Sequence, residues 1–294
     1  MTNMKIPNKH VPVMLREVLE EFEKVNSEDS VIAIDCTLGQ AGHSIEIFKK
    51  LKKGVLLSID TDLDSIEWVS GKYGMQGDKL IEAGNVWELI HANFSDLDKI
   101  LEEHSHPKFD FLIADLGFSN YQMQKNLGIS YSMEYQNLDM RYDKIGLQAS
   151  DFLNSTSSEE MSKILSDYGQ IEFETAKRIS LEIIRKRKLQ QIQSVKDFNY
   201  IIKKFGEGLK VKIYQAIRSF INQEPERLRK LLQNIKRKQS VNGVSLIISL
   251  NQMEEKIIND ELGDHLIKEP NINELITNTQ SRSAKLHIYK QKIN

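Results

Sequence analysis

Apolar positions in the first 120 residues alternate between short continuous runs and helically spaced stripes. VIAID (31–35), VLLSID (55–60) and FDFLIAD (109–115) are apolar runs that end in an acid, the pattern of strands buried on both faces of a sheet. WELIHANF (87–94) is a weaker run of the same kind. Between them, GHSIEIFKKLKK (42–53) brings Ile45, Phe48 and Leu51 close to one helix face. DLDSIEWVSGKYG (62–74) reads as a second helix, with Asp64 and Glu67 spaced as a capping box. This β-α-β-α rhythm predicts a mostly parallel sheet with helices on both faces. Ligands of such sheets bind beyond the carboxyl ends of the strands, which directs attention to Asp35, Asp60, Phe94 and Asp115.

The character changes after Asp115. Residues 115–143 are polar and lack a long periodic run, so they read as loop. Residues 150–210 read as several helices, and 211–238 as one long helix or two abutting ones, with Pro225 a break or a new start. NGVSLIISL (242–250) returns to strand character, NQMEEKIINDEL (251–262) to helix, and AKLHIYK (284–290) to strand. The expected organisation is an α/β sheet domain in two pieces, 1–123 and 212–294, interrupted by a helical substrate-binding insertion at 124–211.

Composition adds little until charge is followed along the chain. The 294 residues are 40% hydrophobic and 28% charged, enough for one core with an insertion or for two domains. No stretch approaches the roughly 18 consecutive apolar residues of a membrane span. MTNMKIPNKHVPV at the N-terminus lacks the apolar core of a signal peptide. Cys36 is the only cysteine, so no disulfide forms within the chain. These features lead us to expect a soluble, cytoplasmic protein. The net charge of −2 conceals an asymmetry: residues 177–240 hold eighteen Lys or Arg against five Asp or Glu, a net +13. That suits a polyanion such as nucleic acid; lysine-rich solvated helix faces are the plainer alternative.

The loop DCTLGQAGHS (35–44) sets Gly39 and Gly42 between a strand and a helix. Thr37 stands where a dinucleotide fold wants its first glycine, which disfavours a pyrophosphate cradle but tolerates a smaller ligand such as S-adenosylmethionine. Taken alone, the glycines are more commonly those of a structural turn. Asp60 ends the second strand, where a carboxylate accepts ribose hydroxyls or caps the following helix. Asp115 opens DLGFSNYQ. Asp115, Ser119 and Asn120 are candidate acceptors for the hydrogens of an exocyclic amine, whose delocalised lone pair must be localised before it attacks a methyl sulfonium. Each is also an ordinary turn residue. With no Cys cluster and no HExxH, no metal is expected.

Together these segments resemble, in order and over nearly the whole chain, the bacterial 16S rRNA (cytosine-N4)-methyltransferases, the RsmH or MraW family. The resemblance lies in HVPVMLREVLE (10–20), DCTLGQAGHS (35–44), SIDTD (58–62), HANF (91–94), DLGFSNYQM (115–123), LDMRYD (138–143), YQAIRSFIN (214–222) and NTQSRSAKL (278–286). It implies a class I S-adenosylmethionine-dependent methyltransferase, with a Rossmann-like, mostly parallel sheet and an inserted helical domain. The implied donor site comprises the backbone of Ala41, Gly42 and His43, with Asp60 on the ribose, Phe94 near the adenine, and Asp115 and Gln122 completing the pocket. The implied substrate is the N4 of a cytidine in the decoding region of 16S rRNA in the small ribosomal subunit, with no membrane partner and a homodimer left open. Arg141, Arg185, Arg187, Arg218, Arg282 and Lys285 are candidates to contact RNA; Arg141, Arg218, Arg282 and Lys285 could equally join the insertion to the sheet. Several positions depart from the family. Ala41 replaces a glycine, a change expected to be mild because it adds one methyl. The segments LGISYSMEYQNLDMR and GLKVKIYQA lack the family's Gly-Pro and His-Pro-Ala-Thr. In ISLNQMEEKIIND (248–260), Asn251 and Gln252 stand for a His-Ser pair expected on the substrate side. A catalytically weakened paralogue that binds rRNA is the alternative those departures suggest.

Overall fold

The computed structural model describes residues 12–26, 29–117 and 127–291. The chain divides into two compact units, one of residues 1–117 with 227–294 and the other of residues 118–226.

The first unit is built on eight strands: β1 (Val31–Asp35), β2 (Gly54–Asp60), β3 (Lys79–Glu82), β4 (Asn85–His91), β5 (Phe109–Asp115), β6 (Gln239–Ser249), β7 (Leu266–Lys268) and β8 (Lys285–Lys290). They pair in the order β3-β4-β2-β1-β5-β6-β8-β7. The central pairs β4-β2, β2-β1, β1-β5 and β5-β6 are parallel, and β3, β7 and β8 add antiparallel edges. The chain winds outward from β1 to β2 and β4, then returns to place β5 on the other side of β1. That reversal opens the ligand crevice of a doubly wound sheet at the carboxyl ends of β1 and β5. Two edge strands escape the pattern reading. β3 (KLIE) is short and mostly exposed, and joins β4 through a two-residue turn in which Ala83 and Gly84 both have positive φ, 51° and 83°. β7 has three residues, too few for any periodicity.

Alternate side chains of the central strands enter opposite cores. Val31 and Ala33 of β1 and Phe111 and Ile113 of β5 face α1 (Leu15–Val25), α2 (Gly42–Lys50) and α3 (Leu63–Tyr73), through Phe22, Ile47, Phe48 and Val69 among others. Ile34 of β1 and Leu112 and Ala114 of β5 face α4 (Leu97–Glu103) and two later helices, residues Glu224–Lys238 and Gln252–Leu262. The layering is therefore helix, sheet, helix. Two local expectations need correction. The helix after β1 stops at Lys50; Leu51 is buried, but from an extended C-cap residue rather than from the helix face. The cap of α3 is Asp62, whose carboxylate accepts from the Asp64 amide, so Asp64 and Glu67 do not form the capping box.

The second unit packs helices α5 (Ala149–Ser155), α6 (Ser158–Gly169), α7 (Phe173–Arg187), α8 (Val195–Ile202) and α9 (Glu207–Ile221). Their shared core includes Phe152, Leu165, Ile179, Ile183, Phe198, Tyr214 and Ile217. Tyr214 and Ile217 belong to this core, so the compact unit runs on to Glu226, beyond the 211 at which the sequence pattern suggests a change. Pro225 stands in the first turn of α10 (Glu224–Lys238), where its missing N–H costs nothing, so it starts a helix. The remaining helices are α11 (Gln252–Leu262) and α12 (Ile272–Thr277). No described helix is long and apolar enough to cross a membrane.

Candidate functional site

The loop after β1 is organised by its own polar side chains. Asp35 is buried; one carboxylate oxygen accepts the Thr37 amide at 3.0 Å, and the other accepts the Ser44 hydroxyl at 2.6 Å. Ser44 Oγ lies 2.8 Å from Ser58 Oγ, which accepts the Trp87 indole N–H at 2.9 Å. Asp35 thus anchors the loop to β2 and β4, a reason for an acid at this strand end that needs no ligand. The Thr37 hydroxyl accepts the backbone N–H of Asp115 at 2.8 Å, which ties the loops after β1 and β5 together across the crevice. Gly39 and Ala41 both take left-handed backbone, with φ of 50° and 61°. For Ala41 this conformation costs about 1–2 kcal/mol relative to ordinary φ. The missing family glycine is therefore felt in the backbone, and the methyl, which packs fully buried, is not the main effect. Gly42 has no such φ. A Cβ there would come within 2.5 Å of Pro12 Cγ, so the N-terminal segment sits against this turn.

Ala41 is the N-cap of α2 and offers no side-chain cap. The first turn of this nine-residue helix, Gly42 to Ser44, thus presents its amides at the positive end of the helix dipole with no cap from the Ala41 side chain. Asp60 lies across the same turn. Its carboxylate accepts the Gly39 amide at 2.8 Å and the Asp62 amide at 2.9 Å. Burial raises its pKa to about 6, against the lowering effect of those two bonds. A carboxylate has about four acceptor positions, so two remain for a ligand with adjacent hydroxyls. The backbone carbonyl of Asp60 accepts the Ala92 amide, and two residues on Phe94 begins a short 3₁₀ turn capped by Asn93. Phe94 is half-buried against the core below the sheet.

Asp115 closes the crevice at the end of β5, with its side chain 24% exposed. Loss of water around it, then the charges of Asp35, Glu254 and Glu274, push its pKa up to about 8. His43 Nδ1 lies 4.0 Å from Asp115 Oδ2, while His43 Nε2 is 3.0 Å from the Val13 carbonyl. A carbonyl only accepts, so Nε2 carries the hydrogen, and in the neutral ring Nδ1 is the acceptor nitrogen on the Asp115 side. The geometry can hold an anion at the α2 amides, a diol at Asp60 and a cation near Asp115. No group of three or more His, Cys, Asp or Glu among the described residues is placed to hold a metal.

Ala41, Gly42, His43, Asp60, Phe94 and Asp115 thus fall on the strand-end side of one sheet. Ser119, Asn120 and Gln122 lie outside the described residues. The cation candidates have varied surroundings. Arg141 pairs bidentately with Asp139, and Arg218, buried, with Glu224. Arg187 donates to the Leu153 and Thr156 carbonyls at the end of α5, and Arg185 pairs with Glu182. Lys285 pairs with Glu255, and Arg282 is exposed in a 3₁₀ turn. The motif residues of the second unit serve its own architecture: the Asn222 amide donates to the Met140 carbonyl and accepts the Tyr142 amide, joining LDMRYD to the end of α9. Asn251 is the N-cap of α11 and accepts the Met253 and Glu254 amides; Gln252 is exposed. Four contributors go unnoticed in the sequence reading: Thr37 Oγ, Glu254, Glu274 and the Val13 carbonyl. Glu254 and Glu274 come from far along the chain, and no spacing signals them. Thr37 stands inside the recognised loop, where a hydroxyl facing a backbone amide is the signal to look for.

Comparison with known proteins agrees with this architecture. The family model described as the MraW methylase family matches residues 7–271. Curated relatives called ribosomal RNA small subunit methyltransferase H include one from Dictyoglomus thermophilum, 28% identical with 99% of each chain covered. One from Mycoplasma mobile is 31% identical over 97% of this chain and 98% of its own. One from Clostridium botulinum is 35% identical over 85% and 80%. With the match spanning both units, the chain belongs to the MraW methylase family.

Proposed function

We propose that this chain transfers a methyl group from S-adenosylmethionine to the N4 amine of a cytidine in the decoding region of 16S rRNA. The supporting observation is the convergence of an uncapped helix N-terminus, a diol-ready carboxylate and a carboxyl of raised pKa at the reversal point of a doubly wound sheet. The relatives' names supply the small-subunit rRNA.

The residues present fit the donor. The first-turn amides of α2, at Gly42 and His43, hold its carboxylate, as helix N-termini hold anions. Asp60 takes the ribose hydroxyls through its remaining lone pairs, and Phe94 packs near the adenine. When bound, the donor supplies an electrophilic methyl on a sulfonium. Asp115 acts at the amine: as a carboxylate it accepts an amine hydrogen, localises the nitrogen lone pair and takes the proton that leaves when nitrogen gains the methyl. A positive charge beside Asp115 favours its ionised form and so works against the burial that raises its pKa. Ser119, Asn120 and Gln122 are proposed to complete this end of the pocket. Asn251 has a helix-capping role, so its departure from the family pattern does not by itself argue for a non-catalytic protein.

Mass spectrometry of 16S rRNA from a deletion strain, complemented with wild type or Asp115→Ala, tests the reading. Wild type restores one N4-methylcytidine and the variant does not, with transfer lowered by roughly 10²-fold or more. An unchanged modification profile in the deletion overturns the assignment.

A further inference from the structure

Several cations of the second unit already have partners. Arg185 and Lys204 share Glu182, at 2.6 and 3.0 Å, and Arg187 and Arg218 are engaged as described above. A different group surrounds Tyr200. The other aromatic of α8, Phe198, is buried, whereas Tyr200 is 60% exposed. The Lys203 ammonium lies over its ring at 4.5 Å from the centroid, and that of Lys186, on α7, at 5.2 Å. Among the described residues none of Lys186, Lys188, Lys196 and Lys203 forms an ion pair with a carboxylate. Lysines in the last turn of α7 offset its dipole, which explains Lys186 and Lys188 without any ligand. It does not explain why a large aromatic ring stays in water beneath ammoniums brought from two elements.

We propose that Tyr200, flanked by Lys186 and Lys203, is a stacking platform for an unpaired base of single-stranded RNA. This rests on the rRNA reading above and extends it to a named surface. Every base has a π-face that an exposed aromatic ring can stack on; the ammoniums now over the ring are carried on flexible stems, and the incoming base displaces them from the face to the phosphates on either side of the stacked nucleotide. Duplex RNA buries its base faces and offers the same surface only its phosphates. The platform therefore prefers single strands, and the ring supplies the preference.

Fluorescence anisotropy of the full chain with a labelled single-stranded oligoribonucleotide, and with the same strand in a duplex, tests this. Tyr200→Ala weakens single-strand binding about 5- to 100-fold and leaves duplex binding within about 2-fold, while Tyr200→Phe retains single-strand affinity within about 3-fold. Lys186→Ala and Lys203→Ala each reduce the slope of log affinity against log salt by about 0.7. Unchanged single-strand binding in Tyr200→Ala, equal losses for both RNA forms, or a Phe variant as weak as the Ala variant overturns the platform. Methyl transfer by wild type, measured alongside, separates the two readings. Transfer without Tyr200 dependence of binding sinks the platform alone, and Tyr200 dependence without transfer sinks the methylation reading alone.

Discussion

The residues at the strand ends divide into those that hold the site and those left to act in it. Asp35 receives the amide and hydroxyl of Thr37 from its own loop and the hydroxyl of Ser44 from α2, whereas Asp115 has raised pKa and an open quarter of its side chain. Ser44→Ala removes a donor from the buried Asp35 carboxylate and a link to Ser58, and should cost about 2 kcal/mol in chemical denaturation. Asp115 and Asp60 make stability fall as pH rises. Each folded carboxyl keeps its proton to a higher pH than the unfolded chain does, so its contribution is complete below the unfolded value and is lost as pH rises through about 6 for Asp60 and about 8 for Asp115. Asp115→Asn should therefore match wild type near pH 4 and exceed it by more than about 1 kcal/mol by pH 8, measured by denaturation across that range. A gap of constant size across the range would show that Asp115 does not titrate as described. The carboxylates were legible as run-ending acids. Which of them is structural was not, because the deciding partners, Ser44, Ser58 and Trp87, meet only when β1, β2 and β4 pair.

At the scale of elements, what the chain displays is set by burial. β1, β2 and β5 are buried on both faces and show as unbroken apolar runs, while β3 and β7 are short, exposed edges with no run to read. Caps were harder to read: α3 uses Asp62 among three nearby acids of equal propensity, and the capping box of Ser194 with Asp197 at the start of α8 emerges only in the structure. The cap at Asn251 gives a prediction that separates two roles. Asn251→Ala should cost about 1 kcal/mol and Asn251→Ser less than about 0.5, in thermal or chemical melts. Activity lost in the Ala variant without lost stability would assign Asn251 to substrate instead. Backbone constraint gives another. Gly54 has φ of 144°, and a Cβ there would meet the Val31 carbonyl oxygen at 2.0 Å, so Gly54→Ala should destabilise by more than about 3 kcal/mol or prevent folding.

At the scale of the molecule, the basic segment does two jobs that composition merges. Its C-terminal part lies on α10, where Lys230, Lys236, Arg237 and Lys238 meet Asp96, Glu261, Asp98 and Glu102. Those are surface pairs within the sheet unit, worth little each, and they draw on the acidic excess of the remainder. Its N-terminal part belongs to the helical unit, where, among the described residues, Lys186, Lys188, Lys196 and Lys203 form no ion pair with a carboxylate. The net +13 was thus a sound reason to look for nucleic acid and a poor guide to which cations meet it. The central claim is that the strand-end crevice of the sheet unit runs methyl transfer to small-subunit rRNA. Incubating the protein with S-adenosylmethionine labelled in its methyl group and with small subunits from a strain lacking this gene tests that claim most directly. The account predicts label in 16S rRNA, recovered as N4-methylcytidine and abolished by Asp115→Ala; RNA that stays unlabelled under conditions where the donor binds would contradict it.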